Sequence, residues 1–349
     1  MLHAVDRAAY HLQHLSFLVQ ATIYQETARF FARQPRPSIS RDVLHELQQR
    51  GRALAEEDLR NVELGHYPRS LLFSMPLGDY ARALPQLVRD MPRILQRKRE
   101  ENYKDLPAGL DRERYPAYYR RAFHWQTDGY LSDHSARVYE LGVELLFRGT
   151  ADVMRRQIIP PISEFLRQRA QAEPAQPARV LDVACGTGSA LKQLAAAHPH
   201  LSYFGVDLSP YYARRARHQL RDVEQLAIAV ENAEAMPFAD AAFDVVTCVF
   251  LFHELPRNAR RRVAREMLRV LRPGGLLVVE DSAQLAESAV LEPALRNFPR
   301  EFHEPFFNDY LEDDLAALFT EVGAVVASSR PHLVAKVVAA HKPGGALPS

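Results

Sequence analysis

The stretch Val180-Leu181-Asp182-Val183-Ala184-Cys185-Gly186-Thr187-Gly188-Ser189-Ala190 decides how the C-terminal half of this chain is read. An apolar, β-branched run passes directly into a loop of small residues that opens a helix. Gly186 and Gly188 let the backbone turn tightly and approach a ligand with no Cβ in the way. In a doubly wound sheet that loop lies at the carboxyl ends of the strands, where ligands bind. Alone it is a weak signal, because NAD-binding and other nucleotide-binding proteins use the same device.

Downstream, short apolar runs alternate with helical stretches. Strands are predicted near 179–183, 202–206, 226–231, 243–249, 275–281, 323–329 and 332–340, and helices near 188–198, 210–222, 257–271 and 309–321. That alternation predicts a mostly parallel sheet with helices on both faces. Upstream the texture is helical. Leu2, Val5, Ala9, Leu12, Leu15, Leu18 and Ile23 recur at helical spacing between His3 and Phe31, and Pro35 and Pro37 end the run. Ser40 caps a second helix from Arg41 to Glu63; a third pattern runs from Tyr80 to Glu100, where Pro85 and Pro92 should kink or divide it. Helical periodicity returns from Ser135 to Gln168, and no strand is expected before residue 178. Residues 101–133 read as a loop or broken helix crowded with Tyr115, Tyr118, Tyr119, Phe123, Trp125 and Tyr130. Small and Pro-bearing, residues 170–178 read as a linker, and 341–349 as a disordered tail. The predicted organisation is an all-α N-terminal domain over 1–170, an α/β domain over 178–341 and a tail over 342–349.

Three features strengthen the reading of the glycine loop. Roughly twenty residues on, Tyr203-Phe204-Gly205-Val206-Asp207 ends a strand in an acid, the position that accepts hydrogen bonds from ribose hydroxyls. Glu231-Asn232-Ala233-Glu234-Ala235-Met236-Pro237-Phe238 then leads into the strand Phe243 to Val249 and into Phe252-His253-Glu254-Leu255. Val270-Leu271-Arg272-Pro273-Gly274-Gly275-Leu276 precedes a strand ending in Glu280. Together the four parts resemble the signature of class I S-adenosylmethionine (SAM) dependent methyltransferases, particularly the ubiquinone and menaquinone C-methylases. The usual dinucleotide loop has a third glycine that neither Ala190 nor Leu191 supplies.

The resemblance covers the C-terminal half and implies a Rossmann-like, doubly wound seven-stranded sheet whose last two strands form an antiparallel hairpin. It implies SAM as cofactor, with Asp182, Ala184, Cys185, Gly186 and Gly188 around the methionine end. Asp207 would bind the ribose, Leu208 would pack on the adenine, Asn232 and the Ala233 amide would bond its edge, and Phe250 would line the cofactor. Two positions depart from the family pattern: Ala184 replaces the first loop glycine, and Asn232 stands where many members have Asp.

A sulfonium is already activated, so aligning an acceptor and excluding water supplies most of the acceleration, and a base is needed only if the acceptor must lose a proton. His253 and Glu254 stand where such a base would face the acceptor. Trp125, Tyr130, His134, Tyr139 and His253 are candidates for the acceptor wall, because they join flat apolar faces to hydrogen-bonding tips, and the resemblance implies that Phe306, between the fifth strand and the last helix, belongs to the same wall. That composition favours a small aromatic or apolar acceptor. The rival readings are a SAM-using enzyme that cyclises SAM or transfers its aminocarboxypropyl arm, and a non-catalytic SAM-binding module.

Bulk properties bound the partners. With 44 Lys plus Arg against 43 Asp plus Glu, no global field recruits nucleic acid. The cluster Arg93, Arg97, Lys98, Arg99 and Lys104 reads as a solvated helix end. No apolar run reaches the ~18 residues of a membrane span, and the N-terminus lacks the apolar core of a secretory signal. Two cysteines, Cys185 and Cys248, fit a reducing cytoplasm, and neither they nor the histidines show metal-ligand spacing, so no metal is expected. A homodimer stays open.

Overall fold

The structure is a computed structural model that describes residues 2–32, 39–172 and 177–344. Pro35, Pro37, residues 173–176 of the expected linker and residues 345–349 of the expected tail lie outside the described residues.

The chain begins with α1 (Ala4–Ala32), α2 (Arg41–Glu63) and α3 (Leu77–Glu100), followed by an irregular stretch with short 3-10 turns and then by α4 (Asp133–Leu146), α5 (Ala151–Arg155) and α6 (Ile159–Ala172). The Ser40 side chain caps α2 by accepting from the Val43 N–H, as the sequence predicts. Two expectations change. Pro85 and Pro92 sit inside α3 without dividing it. The pattern from Ser135 to Gln168 is broken after Leu146, where Arg148 and Gly149 both take positive φ and turn the chain. In α1 the apolar spacing does not mark the buried side. Tyr10, Phe17 and Ala21 are buried, whereas Val5, Leu12, Leu15 and Ile23 are exposed.

From residue 179 the elements alternate: β1 (Arg179–Val183), α7 (Ser189–Ala197), β2 (Ser202–Asp207), α8 (Pro210–Gln219), β3 (Leu226–Val230), β4 (Phe243–Val249), α9 (Arg257–Val270) and β5 (Leu271–Ser282). They are followed by α10 (Glu292–Phe302), α11 (Phe307–Glu312), α12 (Leu315–Glu321), β6 (Val325–His332) and β7 (Ala335–His341). The expected helix over 309–321 is two helices, because Asp314 starts a new one by capping the Ala317 N–H.

The seven strands form one sheet in the order β3-β2-β1-β4-β5-β7-β6. β7 runs antiparallel to both β5 and β6, while the pairs from β3 through β5 are parallel. The order therefore reverses at β1, whose neighbours are β2 and β4, and this is the switch point at which open α/β sheets bind ligands. β1 and β4 are buried along nearly their whole length, as expected of strands with helices on both faces. One face packs Leu181, Val183, Val246 and Leu277 against Val263 and Met267 of α9 and Leu318 and Phe319 of α12. The other packs Val180, Val245 and Val278 against Leu191 and Leu194 of α7 and against Ile159, Ile162 and Phe165 of α6. Thus α6, the last helix of the N-terminal half, shares its core with the sheet.

The N-terminal helices have a core of their own, in which Phe17, Tyr80, Leu87, Val138, Leu141 and Leu145 join α1, α3 and α4. A charged knot holds α2 to the short turn before α6. The wholly buried Asp58 accepts from Tyr10 Oη at 2.6 Å, Tyr67 Oη at 2.5 Å, and Arg156 Nε and Nη2 at 2.6 Å each. Every lone-pair direction of that carboxylate is used, which is the condition under which a buried ion pair is tolerated.

Candidate active site

The site is assembled where β1, β2 and β4 end. The loop after β1 opens with Ala184 at φ 58° and continues through Gly186 at φ 56° and Gly188 at φ 88°. The two glycines serve different ends. A Cβ at Gly186 would meet no protein atom within 4 Å, so this backbone borders open space. A Cβ at Gly188 would press on Leu220 at 2.8 Å and Ala216 at 3.2 Å, so this position lets the start of α7 lie close to α8. Ala184 holds the left-handed conformation with a Cβ, which costs about 1–2 kcal/mol relative to glycine.

Asp207 locks the loop to β2. Its Oδ2 accepts from the Gly186 N–H at 2.9 Å and its Oδ1 from the Ser209 N–H at 2.8 Å. Deeper in, Asp182 Oδ1 accepts from Thr247 Oγ1 of β4 at 2.8 Å. Burial pushes the Asp182 carboxyl up to about 7, with the Thr247 hydrogen bond opposing and Asp207 adding to the rise. Burial likewise pushes Asp207 up to about 6, against the pull of the Ser209 and Gly186 amides. Neither acid has an ion-pair partner among the described residues.

These groups border a cavity of about 990 Å³, its open mouth included. Asp182, Ala184, Cys185, Gly186, Asp207, Leu208, Asn232, Ala233 and Phe250 all line it; Gly188 stands behind it against α8. Asn232 Oδ1 accepts from the Glu234 N–H at 2.9 Å, which fixes the side chain at the cavity edge.

The opposite wall comes from the helical half. Tyr118, Tyr119, Tyr130 and Tyr139 line the cavity together with Tyr212 of α8. Tyr130 packs parallel to Phe123 at 5.5 Å and edge-on to Tyr212 at 5.4 Å and Tyr139 at 6.0 Å. Burial raises the phenols of Tyr119, Tyr130 and Tyr212 well above their ordinary value, so they remain neutral donors. Tyr130 Oη donates to Glu254 Oε1 at 2.5 Å, and Glu254 lines the cavity. On the side of the glycine loop, Glu140 accepts from the Thr187 hydroxyl and pairs with Arg155 at 2.8 Å.

Four candidate acceptor residues are not on this wall. His253 is buried, with Nδ1 2.6 Å from Asp281 Oδ1; burial opposes its protonation, and the Asp281 carboxylate outweighs that and raises the imidazole above its ordinary value. It orders the turn after β4 alongside the Phe252 N–H, which donates to Asp281 Oδ2 at 2.6 Å. Trp125 turns away, donating Nε1 to the Glu301 carbonyl at 3.1 Å and packing on His303. His134 pairs with Asp90, and Phe306 lies under the Arg121 guanidinium. The basic cluster at the end of α3 also differs from expectation, since Arg97 is buried and bonds the Trp125 carbonyl at 2.7 Å and Thr127 Oγ1 at 2.8 Å, holding the aromatic stretch in place. Sequence reading missed Arg155, Glu140 and Thr187 in this role. Thr187 sits in the loop motif; nothing local marks the other two.

Residues 180–275 match the family described as Methyltransferase domain. This segment is a class I SAM-dependent methyltransferase domain. Among relatives of the methyltransferase domain, a demethylmenaquinone methyltransferase of Thermotoga maritima is 34% identical over 149 residues, which is 43% of this chain and 58% of that protein. A malonyl-[acyl-carrier protein] O-methyltransferase of Geobacter sulfurreducens is 32% identical over 155 residues, covering 44% and 57%. A 2-methyl-6-phytyl-1,4-hydroquinone methyltransferase of Synechocystis is 34% identical over 133 residues, covering 37% and 41%. The chain thus spans about half the length of the curated relatives it matches.

The cavity suits SAM on its own terms. Gly186 leaves room for a ligand against its backbone, and the buried Asp182 and half-buried Asp207, neither paired with a protein cation among the described residues, suit a ligand carrying an ammonium group and ribose hydroxyls. No described helix is long and apolar enough to cross a membrane.

Proposed function

We propose that this protein transfers a methyl group from SAM to a small aromatic or apolar molecule held against its tyrosine wall. One observation carries the reading: a single cavity is lined both by the SAM loop with Asp207 and by tyrosines from the helical half, with Glu254 between them. The helical half, residues 1–170, is on this reading the cap that builds the acceptor site. The relatives' names point to hydroquinone-type acceptors, flat rings with hydroxyl groups, and a ring of that shape suits a wall of neutral phenols and one carboxylate.

The roles divide by position. Asp207 would bind the ribose hydroxyls, since each of its oxygens retains a lone pair beyond its one backbone bond. Asn232 and the Ala233 amide would meet the adenine edge, with Leu208 against its face. Asp182 and the Gly186 backbone would hold the amino end, and Arg155, beside Thr187 through Glu140, would face the carboxylate. When bound, SAM supplies a methyl group on positively charged sulfur, which departs as a neutral thioether. The chain then has to align, exclude water and accept a hydrogen bond. Tyr118, Tyr119, Tyr130 and Tyr139 exclude water and sandwich the acceptor. Glu254, oriented by Tyr130, receives the hydrogen bond of the acceptor's hydroxyl and draws its proton away as the new bond forms.

The test is product analysis on the purified chain with SAM alone and with a set of hydroquinones. S-adenosylhomocysteine formed only with an acceptor is expected. Methylthioadenosine formed from SAM alone would replace methyl transfer with a reaction internal to SAM.

A further inference from the structure

Behind the tyrosine wall, three residues far apart in sequence converge. His124 lies between two carboxylates, with Nδ1 3.2 Å from Glu304 Oε1 and Nε2 3.5 Å from Glu254 Oε1. One donor atom from each of His124, Glu254 and Glu304 falls within 4.8 Å of the others, and among the described residues no other such trio of His, Cys, Asp or Glu occurs. Glu304 supplies an independent observation. Its side chain is 0% exposed, yet neither carboxylate oxygen has a hydrogen-bond partner, and the facing His124 Nδ1 has none either. At 3.2 Å the two groups are close enough to bond but are not aligned to do so.

A buried carboxylate without hydrogen bonds is expensive, because its desolvation is uncompensated. The surroundings do not relieve it. Glu254 and Asp281 are the acids nearest Glu304, and Arg121 is the cation that faces it, without a hydrogen bond between them. Ligands held about 2.1 Å from a common ion stand roughly 3.0–3.4 Å apart in octahedral or tetrahedral arrangements. The 3.2 and 3.5 Å contacts run to opposite nitrogens of the imidazole, so one ion takes only one of them, and the three donor atoms, within 4.8 Å of one another, must draw in by side-chain adjustment to reach that spacing.

We infer that His124, Glu254 and Glu304 form a binding site for a divalent first-row metal ion at the wall of the SAM cavity. One imidazole nitrogen and one oxygen from each carboxylate make a mixed N/O set of the kind that takes Mn²⁺, Fe²⁺ or Zn²⁺. Tyr130 donates to Glu254 and fixes it, as outer-shell partners do at metal sites. Three protein ligands leave coordination positions free. Glu254 lines the cavity, so those positions open toward the acceptor space. On the reading of that space given above, the ion binds the acceptor hydroxyl in place of its direct bond to Glu254 and makes the hydroxyl more acidic. Its proton leaves to solvent, the metal–oxygen bond remains through the transfer, and the ion changes no oxidation state.

Metal binding is measurable without knowing the acceptor. The full-length chain, stripped with chelator, is titrated with Mn²⁺ while the spectrum of free Mn²⁺ is followed by paramagnetic resonance, and with Zn²⁺ by calorimetry. One equivalent is expected to bind, and Glu304→Gln and His124→Ala should each weaken it at least about tenfold. SAM affinity, measured separately, should stay within about threefold in both variants, because neither residue lines the SAM cavity. If a chain that still binds SAM takes up neither ion at about 1 mM, or if binding is unchanged in Glu304→Gln, the inference is overturned. In that case a proton, rather than a metal, neutralises Glu304. Loss of SAM binding by the parent would contradict the methyl-transfer reading and leave the metal result standing.

Discussion

The two halves of this molecule use charge in opposite ways. In the helical half, the buried Asp58 is closed off by Tyr10, Tyr67 and Arg156, with no lone pair left for a ligand. At the carboxyl ends of β1 and β2, Asp182 is as deeply placed and Asp207 is half-buried, but both are only partly satisfied, each with room for a further donor. The first arrangement holds helices together; the second leaves acceptor capacity open, which on the proposed reading a cation and two hydroxyls fill. Burial of a carboxylate therefore does not mark a site. What marks it is burial without completion.

Asp58→Ala should break that contrast most severely. It strands the Arg156 guanidinium and two phenols in the interior, and about 3–5 kcal/mol of stability should be lost, read as a lower midpoint in chemical unfolding. An unchanged midpoint would show the knot to be dispensable. Next in size, Tyr130→Phe removes the donor to Glu254 while keeping the ring. SAM affinity should hold within about threefold while transfer falls about tenfold, and a fall in both alike would move Tyr130 to the cofactor side.

The pH dependence sharpens the other side of the comparison. Burial holds Asp182 up to about 7 and Asp207 up to about 6, so at low pH both carry protons that a cationic ligand must displace. SAM affinity should therefore rise as pH climbs through 6 and 7 and then level off, with proton uptake by buffer on binding; a flat profile from pH 5 to 8 would contradict it. In the ligand-free chain the sign reverses: these acids favour the fold fully below about pH 4, and that contribution fades as pH passes 6 and 7. The smallest effect belongs to Ala184→Gly, which relieves a left-handed Cβ and should raise stability by about 1 kcal/mol, offset in part by added freedom of the unfolded chain.

The same contrast explains what was legible in the sequence. β1 and β4 fall on the predicted residues because an apolar run buried on both faces leaves no alternative register. The cofactor side was legible because its residues come in consecutive runs at strand ends, and a loop motif is a local object. Helix detail was less so. The break at Arg148 and Gly149 hides inside continuous periodicity, and α10 has little apolar patterning beyond Leu295 and the phenylalanines. In α1 the periodic apolar residues point outward, so spacing identified a helix but not its buried face. The acceptor side was least legible. Glu254 was visible in its motif, but His124 and Glu304 reach it, and Arg155 reaches the cavity, only through tertiary packing, and His253, conspicuous in the same motif, is turned inward to Asp281.

Calorimetry of SAM binding to the parent chain and to Asp207→Ala bears most directly on the central claim, that the loop after β1 and the acid ending β2 hold the cofactor together. Stoichiometric binding by the parent, weakened about ten- to a hundredfold in the variant, is expected from losing hydrogen bonds to a charged acceptor. Equal affinity in the two proteins, or no heat of binding with the parent, would contradict it.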